Sequence, residues 1–134
     1  MHDVYEEMLK WSLAEQARYI RGFADGEGWP AFYKDKVTRG HHKPGYISNR
    51  AVFVSNTNKA LLLMVQKMLD NLGVKSRLYL DAKAGTRRST MDSWKIAILG
   101  QENLQRFSEL VGFGDAKKTQ ILRDMLNSYR KHGS

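Results

Sequence analysis

Tyr19-Ile20-Arg21-Gly22-Phe23-Ala24-Asp25-Gly26-Glu27-Gly28 is the stretch on which the fold turns. Gly22 and Gly26 stand four residues apart, so on a helix they share one face. A glycine inside a helix costs about 1 kcal/mol against alanine. Close contact with a second helix is the natural compensation, because small residues let two backbones approach. Two acids, Asp25 and Glu27, flank the second glycine. If the partner helix is a copy of this one, two Glu27 side chains converge near a two-fold axis. Converging carboxylates repel, and divalent cations relieve that repulsion. A carboxylate and a backbone carbonyl, completed by water and phosphate, make a magnesium-type octahedron. Such a site suits phosphodiester hydrolysis, in which metal activates a water and stabilises the leaving oxygen. Taken alone, Glu27 is an ordinary acid in a helix-ending turn, and its surroundings decide between the two readings.

Upstream, Ser12-Leu13-Ala14-Glu15 matches a capping box, in which Ser12 caps the third helical amide and Glu15 reaches back. A helix is therefore expected from Ser12 to Ala24, stopping in Asp25-Gly26-Glu27-Gly28, where two glycines permit conformations other residues avoid. A short helix is expected within Met1 to Trp11. Downstream, Trp29 to Arg39 is an aromatic-rich strand, Gly40 to Gly45 a turn or loop, and Tyr46 to Ser55 a second strand. Val52 and Val54 share one face of it, with Ala51, Phe53 and Ser55 on the other. Asn58 to Leu72 is a helix, with Leu62, Val65, Leu69 and Leu72 at helical spacing and Gly73 at its stop. Val74 to Lys83 is a third strand, with Leu78 and Leu80 pointing one way and Arg77, Tyr79 and Asp81 the other. Ala84 to Ser89 is a basic turn. Met91 to Leu99 is a fourth strand, with Trp94, Ile96 and Ile98 inward and Lys95 outward. Gln101 to Val111 and Asp115 to Tyr129 are the last helices, and Arg130 to Ser134 a frayed tail. Two hairpins interleaved with helices predict an α+β fold: one four-stranded antiparallel sheet with helices on one face, forming a single domain over residues 1–134.

The other face of such a sheet must meet solvent or a partner. Arg39, Arg50, Arg77 and Lys95 are assigned to it, with Lys43, Arg87 and Arg88 in the loops, against Asp35, Asp81 and Asp92. The formal net charge is +8 and the pI about 9.8, a balance that favours a polyanionic partner. There is no cysteine, which excludes disulfides, Cys-ligated zinc and a cysteine nucleophile. His41-His42 lacks further ligands at metal spacing, so a DNA-contacting or solvated loop is expected there. No apolar run is long enough to cross a membrane, and Met1 to Lys10 lacks the apolar core of a signal peptide. A cytosolic, or organellar or nuclear, location is expected rather than secretion.

The stretch resembles the signature of the LAGLIDADG homing endonucleases, in the variant Ile-Arg-Gly-Phe-Ala-Asp-Gly-Glu-Gly. Val54-Ser55-Asn56 followed by Asn58, Trp94 to Ile98 followed by Gly100, and Val111-Gly112-Phe113 with Lys117-Lys118 resemble later segments of that family, so the likeness runs from Leu13 to Leu126. It implies an αββαββαα fold with a saddle-shaped sheet lying over duplex DNA. It also implies metal-dependent cleavage of both strands of a long pseudo-palindromic site, with a staggered break that promotes intron or intein mobility. One signature copy implies a homodimer, with Gly22 and Gly26 in the interface. The implied metal is Mg2+, with Mn2+ or Ca2+ able to substitute for binding, and no organic cofactor. Glu27 matches the metal-binding acid and Gly26 the residue whose carbonyl also faces the metal. Asp25 matches an acid that either joins the metal site or supports the helix interface. Asn56 either orients water near the cut or caps the following helix. Lys117 or Lys118 matches a basic residue that polarises the water network, or else belongs to a solvated helix start. Base or phosphate contacts are expected from Tyr33, Arg39, His41, Arg50, Arg77, Tyr79, Arg87, Arg88 and Lys95. The consensus often has a small residue at Arg21, so its long side chain must leave the helix seam or pair with an acid. A non-catalytic DNA-binding regulator and an intron RNA maturase are the other functions the fold admits.

Overall fold

A computed structural model describes residues 4–34, 47–82 and 91–131. Its elements are α1 (Val4–Met8), α2 (Leu13–Glu27), β1 (Gly28–Lys34), β2 (Ile47–Asn56), α3 (Lys59–Asn71), β3 (Arg77–Ala82), β4 (Ser93–Leu99), α4 (Gln101–Leu110) and α5 (Ala116–Lys131). The four strands form an antiparallel sheet in the order β1-β2-β4-β3, so the two hairpins meet along β2 and β4 at its centre. This is the expected α+β arrangement. The loops that carry Arg39, His41, Lys43, Arg87 and Arg88 lie outside the described residues.

Strand parity decides which side is covered. Val52 and Val54 of β2 pair with Ile98 and Ile96 of β4, and all four are buried. They join one cluster with Ile20 and Ala24 of α2, Leu62, Val65 and Leu69 of α3, Leu104 and Phe107 of α4, and Leu122 and Met125 of α5. These four helices therefore pack on the same side of the sheet. α3 shows how the local sequence does this. Asn58 caps it through a 3.1 Å bond from the Leu61 amide. Its apolar residues recur at three- and four-residue spacing on the buried side. Gly73 ends it with φ +82, a left-handed conformation that glycine adopts without a Cβ penalty.

Three expectations are corrected. First, α2 ends at Glu27, within the stretch expected to stop it, but not through the special glycine conformation expected there. Gly28 then takes extended backbone, φ −119 and ψ 165, while its N–H still bonds Ala24 O. No left-handed turn separates helix from strand, and Gly28 is required for space rather than for its dihedrals. A Cβ there would lie 2.9 Å from Ala24 O and 3.1 Å from Phe53 O. Second, β3 is shorter than expected, because the backbone before it is tied to side chains: Lys75 N–H donates to Asn103 Oδ1 at 2.9 Å and Ser76 O accepts from Gln66 Nε2 at 3.1 Å. Leu80, beside the bulge that ends this strand, is exposed although Leu78 packs on the core.

Third, Arg50 does not lie on the uncovered face. It shares the parity of Val52 and Val54, pairs across to Phe32, and turns toward α5. There its Nε donates to Ser128 Oγ at 2.7 Å, and its guanidinium stacks 4.3 Å from the centroid of the Tyr129 ring. Burial pushes the Tyr129 hydroxyl above its ordinary pKa, with the Arg50 charge pulling it back. Arg50 thus joins the sheet to the last helix.

Gly28→Ala is expected to destabilise the chain by about 1–3 kcal/mol, the usual effect of forcing a methylene into a packed site. A fall in the urea midpoint with unchanged slope would report it, and an unchanged midpoint would contradict the steric account.

Candidate active site

The two acids of the signature lie on the last turn of α2 and have different surroundings. The half-buried Asp25 carboxylate accepts from Gly114 N–H at 2.8 and 3.1 Å and from Asp115 N–H at 3.2 Å. In return, Lys118 Nζ donates to the backbone carbonyl of Asp25 at 2.7 Å. Asp115 itself caps α5 through a 2.8 Å bond from the Lys118 amide. The end of α2 and the start of α5, about ninety residues apart in sequence, are therefore latched in both directions. A cation at a helix C-terminus also complements the carbonyls exposed there. A Cβ on Gly114 would sit 2.5 Å from Asp25 Oδ2, so the carboxylate would have to shift from its bonds to admit one. Arg21 Nε lies 3.6 Å from that same point. Of the two roles open to Asp25, support of the helix end is the one its hydrogen bonds carry.

Glu27 is exposed, and so are Gly22 and Gly26. A Cβ added at either glycine would meet nothing within 4 Å, so this face of α2 is not occupied by the described residues. Gly26 has a further property that the sequence reading missed. Its carbonyl would normally accept the amide four residues on, but that residue is Pro30, which has no N–H. Its oxygen thus has no helical partner. The free carboxylate of Glu27 and the carbonyl of Gly26 are both hard oxygen donors, which suits a magnesium- or calcium-type ion. Two donors do not fill six positions, and no group of three or more His, Asp or Glu gathers among the described residues. The donor set fits a divalent cation only as an open site that takes its remaining oxygens from beyond the described residues.

The other expected residues divide. Lys118 reaches the end of α2, whereas Lys117 is exposed beside it. Asn56 ends β2 two residues past Val54, which pairs with Gly28. Its Oδ1 accepts from Asn58 N–H at 2.8 Å, so a local turn holds its carbonyl oxygen, and Asn58 rather than Asn56 caps α3. Arg77, Tyr79 and Lys95 lie together on the uncovered face, Tyr79 paired with Lys95 across the β3–β4 ladder. The backbone of Tyr33 pairs with Asn49. No helix of the described residues is long and apolar enough to cross a membrane.

Asp25→Ala and Gly114→Ala each break the same latch. Each is expected to cost about 1 kcal/mol, as the loss of a cap does, and the double variant little more than either single one. Strictly additive losses in a thermal or urea cycle would show that the two residues act independently.

Residues 14–112 match the family model of the LAGLIDADG-like domain. The chain is 24% identical over 135 residues to the uncharacterized protein MJ0398 of Methanocaldococcus jannaschii, covering 95% of this chain and 44% of that protein. Among solved structures it is similar to I-DmoI in complex with DNA and Ca, at a TM-score of 0.55 and 21% identity, covering 89% of this chain and 52% of that one. It is also similar to I-DmoI with DNA and Mn, at a TM-score of 0.53 and 24% identity over 80% of this chain and 47% of the other. A point variant of I-DmoI with its target DNA in the presence of Mg is matched at a TM-score of 0.52 and 24% identity, over 79% of this chain and 46% of the other. The chain thus spans about half the length of the relatives it matches. By its sequence and its four-stranded sheet backed by helices, it belongs to the LAGLIDADG family and carries the fold of the LAGLIDADG homing endonucleases.

Proposed function

We propose that the protein is a site-specific DNA endonuclease that works as a homodimer and hydrolyses phosphodiesters with Mg2+. The observation that carries this reading is the pairing of a free carboxylate with a free helix face. Glu27 is exposed at the end of α2, and the glycines one and five residues before it border open space. A second copy of α2 crossing at Gly22 and Gly26 would bring two Glu27 carboxylates together and supply the oxygens that one chain lacks. The cost of glycine inside a helix is then offset by close backbone contact between the copies. The DNA and divalent metals present in the I-DmoI structures support the same substrate and cofactor class.

In that dimer Glu27 and the Gly26 carbonyl would hold the cation beside the scissile phosphate. The bound ion supplies Lewis acidity and a lowered water pKa. Lys118 adds positive charge at the end of α2 and keeps that helix end in position. Asn56 has its amide nitrogen left to orient water, its carbonyl oxygen being held in a turn. Arg77, Tyr79 and Lys95 face the duplex, with Tyr33, Arg39, His41, Arg87 and Arg88 extending the contact. β2 has ten residues and spans roughly 33 Å at about 3.3 Å per residue. At roughly 3.4 Å per base pair, each subunit covers about ten pairs and the dimer about twenty.

Glu27→Gln is expected to keep duplex binding and lose cleavage by at least about a hundredfold, measured as nicking of a selected site in Mg2+. Unchanged cleavage would remove Glu27 from the reaction, and wild-type binding without any cleavage would leave a non-catalytic DNA-binding protein. Gly22→Leu is expected to weaken dimerisation, seen as a shift toward monomer by sedimentation. An unaltered dimer would exclude this helix face as the seam.

A further inference from the structure

On the sheet face turned away from the helices, one lysine is caged. Lys95 Nζ lies 4.3 Å from the centroid of the Phe53 ring, 5.6 Å from that of Tyr79 and 5.7 Å from that of Trp29, all within cation–π range. It also lies 3.3 Å from Asp81 Oδ1. The side chain of Lys95 is 17% exposed and that of Asp81 33%. Register builds the cage. Lys95 is flanked across β4 by Ser55 on one side and Tyr79 on the other. Asp81, the extra residue where the register shifts between Leu80 and Ala82, reaches it from the bulge, and Trp29 sits opposite Phe53.

Asp81 is the one acid among the described strand residues of this face. A carboxylate facing DNA weakens the electrostatic attraction that dominates affinity, so its presence there needs a cause. The ammonium has three donors: Asp81 takes one, the Phe53 ring lies against the cation, and a donor remains for a ligand. Asp81 keeps its second oxygen. The couple therefore presents a donor and an acceptor side by side, already ordered, so little freedom is lost on binding.

We propose that Lys95 and Asp81 act as one reader of a single base pair, an inference that rests on the DNA-binding reading above. In the major groove G presents O6 beside the C N4 amino group, and T presents O4 beside the A N6 amino group. The couple matches both in one orientation only, with the keto base under Lys95 and the amino base under Asp81. Reversed, the ammonium meets an amino group and the carboxylate meets a keto oxygen, and both contacts repel. G·C outranks T·A, because Lys95 can take N7 as well as O6. The residues thus specify orientation first and identity second.

The test is selection of bound duplexes from a randomised pool in Ca2+, using the whole protein and the variants Asp81→Ala and Asp81→Asn, with far-UV circular dichroism confirming their fold. For the wild type, one position in each half-site is expected to favour keto over amino on one strand by roughly 5- to 150-fold, the range of a good base contact. Both variants are expected to shrink that preference at least several-fold, leaving only what Lys95 alone gives toward a keto base, with the other positions unchanged and binding to a non-specific duplex no weaker. The isosteric Asn variant relaxes the position because its amide both donates and accepts. Enriched sites whose preferences do not move in either variant would overturn the reader and leave the pair as mutual neutralisation within a DNA-binding face. If the wild type enriches no duplex, the DNA-binding reading fails, and the reader with it.

Discussion

The close passage of the end of α2 over the β1–β2 hairpin is the constraint on which the rest depends. Gly28 lies between the carbonyls of Ala24 and Phe53, with no room for a Cβ. That approach lets the helix continue to Glu27 and pass into a strand without an intervening turn. It also fixes β1 against β2 with Gly28 opposite Val54, and so sets which residues of both strands face the helices. The acid at the end of α2 is thereby held at a defined height above the sheet, by packing rather than by its own contacts.

The latch to α5 adds orientation to that position. A helix C-terminus frays readily, because its last carbonyls lack partners. Here Lys118 takes the Asp25 carbonyl while the Asp25 carboxylate holds the amides that lead into α5. Two neighbouring acids of one motif are thus separated by their surroundings. Asp25 is held by its hydrogen bonds, while Glu27 is left exposed, next to a Gly26 carbonyl that lacks its helical amide because residue 30 is proline. The two faces of the sheet are similarly divided. One is closed by four helices over aliphatic side chains. The other carries rings around a lysine, with charges at its margins.

Much of this was legible in the residues themselves. The capping box at Ser12 is present with both of its bonds, the apolar spacing of α3 gave its buried face, and the alternation of β2 and β4 gave theirs. Arg50 shows how such a reading fails. Its charge assigned it to the uncovered face, although the alternation that buries Val52 and Val54 carries it to the same side. A long amphipathic chain with a hydrogen-bond partner on α5 can lie there without an isolated buried charge. The end of α2 was misread because glycine near a helix terminus suggests a left-handed stop, whereas Gly28 serves a steric need that depends on the Phe53 carbonyl twenty-five residues away.

The sequence by itself determined the local periods: where helices and strands form, which side of each is apolar, and that an acid follows a small-residue helix face. Those follow from the bonding geometry of neighbouring residues. Only the tertiary structure decided which of two acids stays free, which of two lysines meets the helix end, and that Lys95 and Asp81 form a couple. Each of these depends on groups far apart in the chain, and their distances exist only once the hairpins and helices have packed on one another.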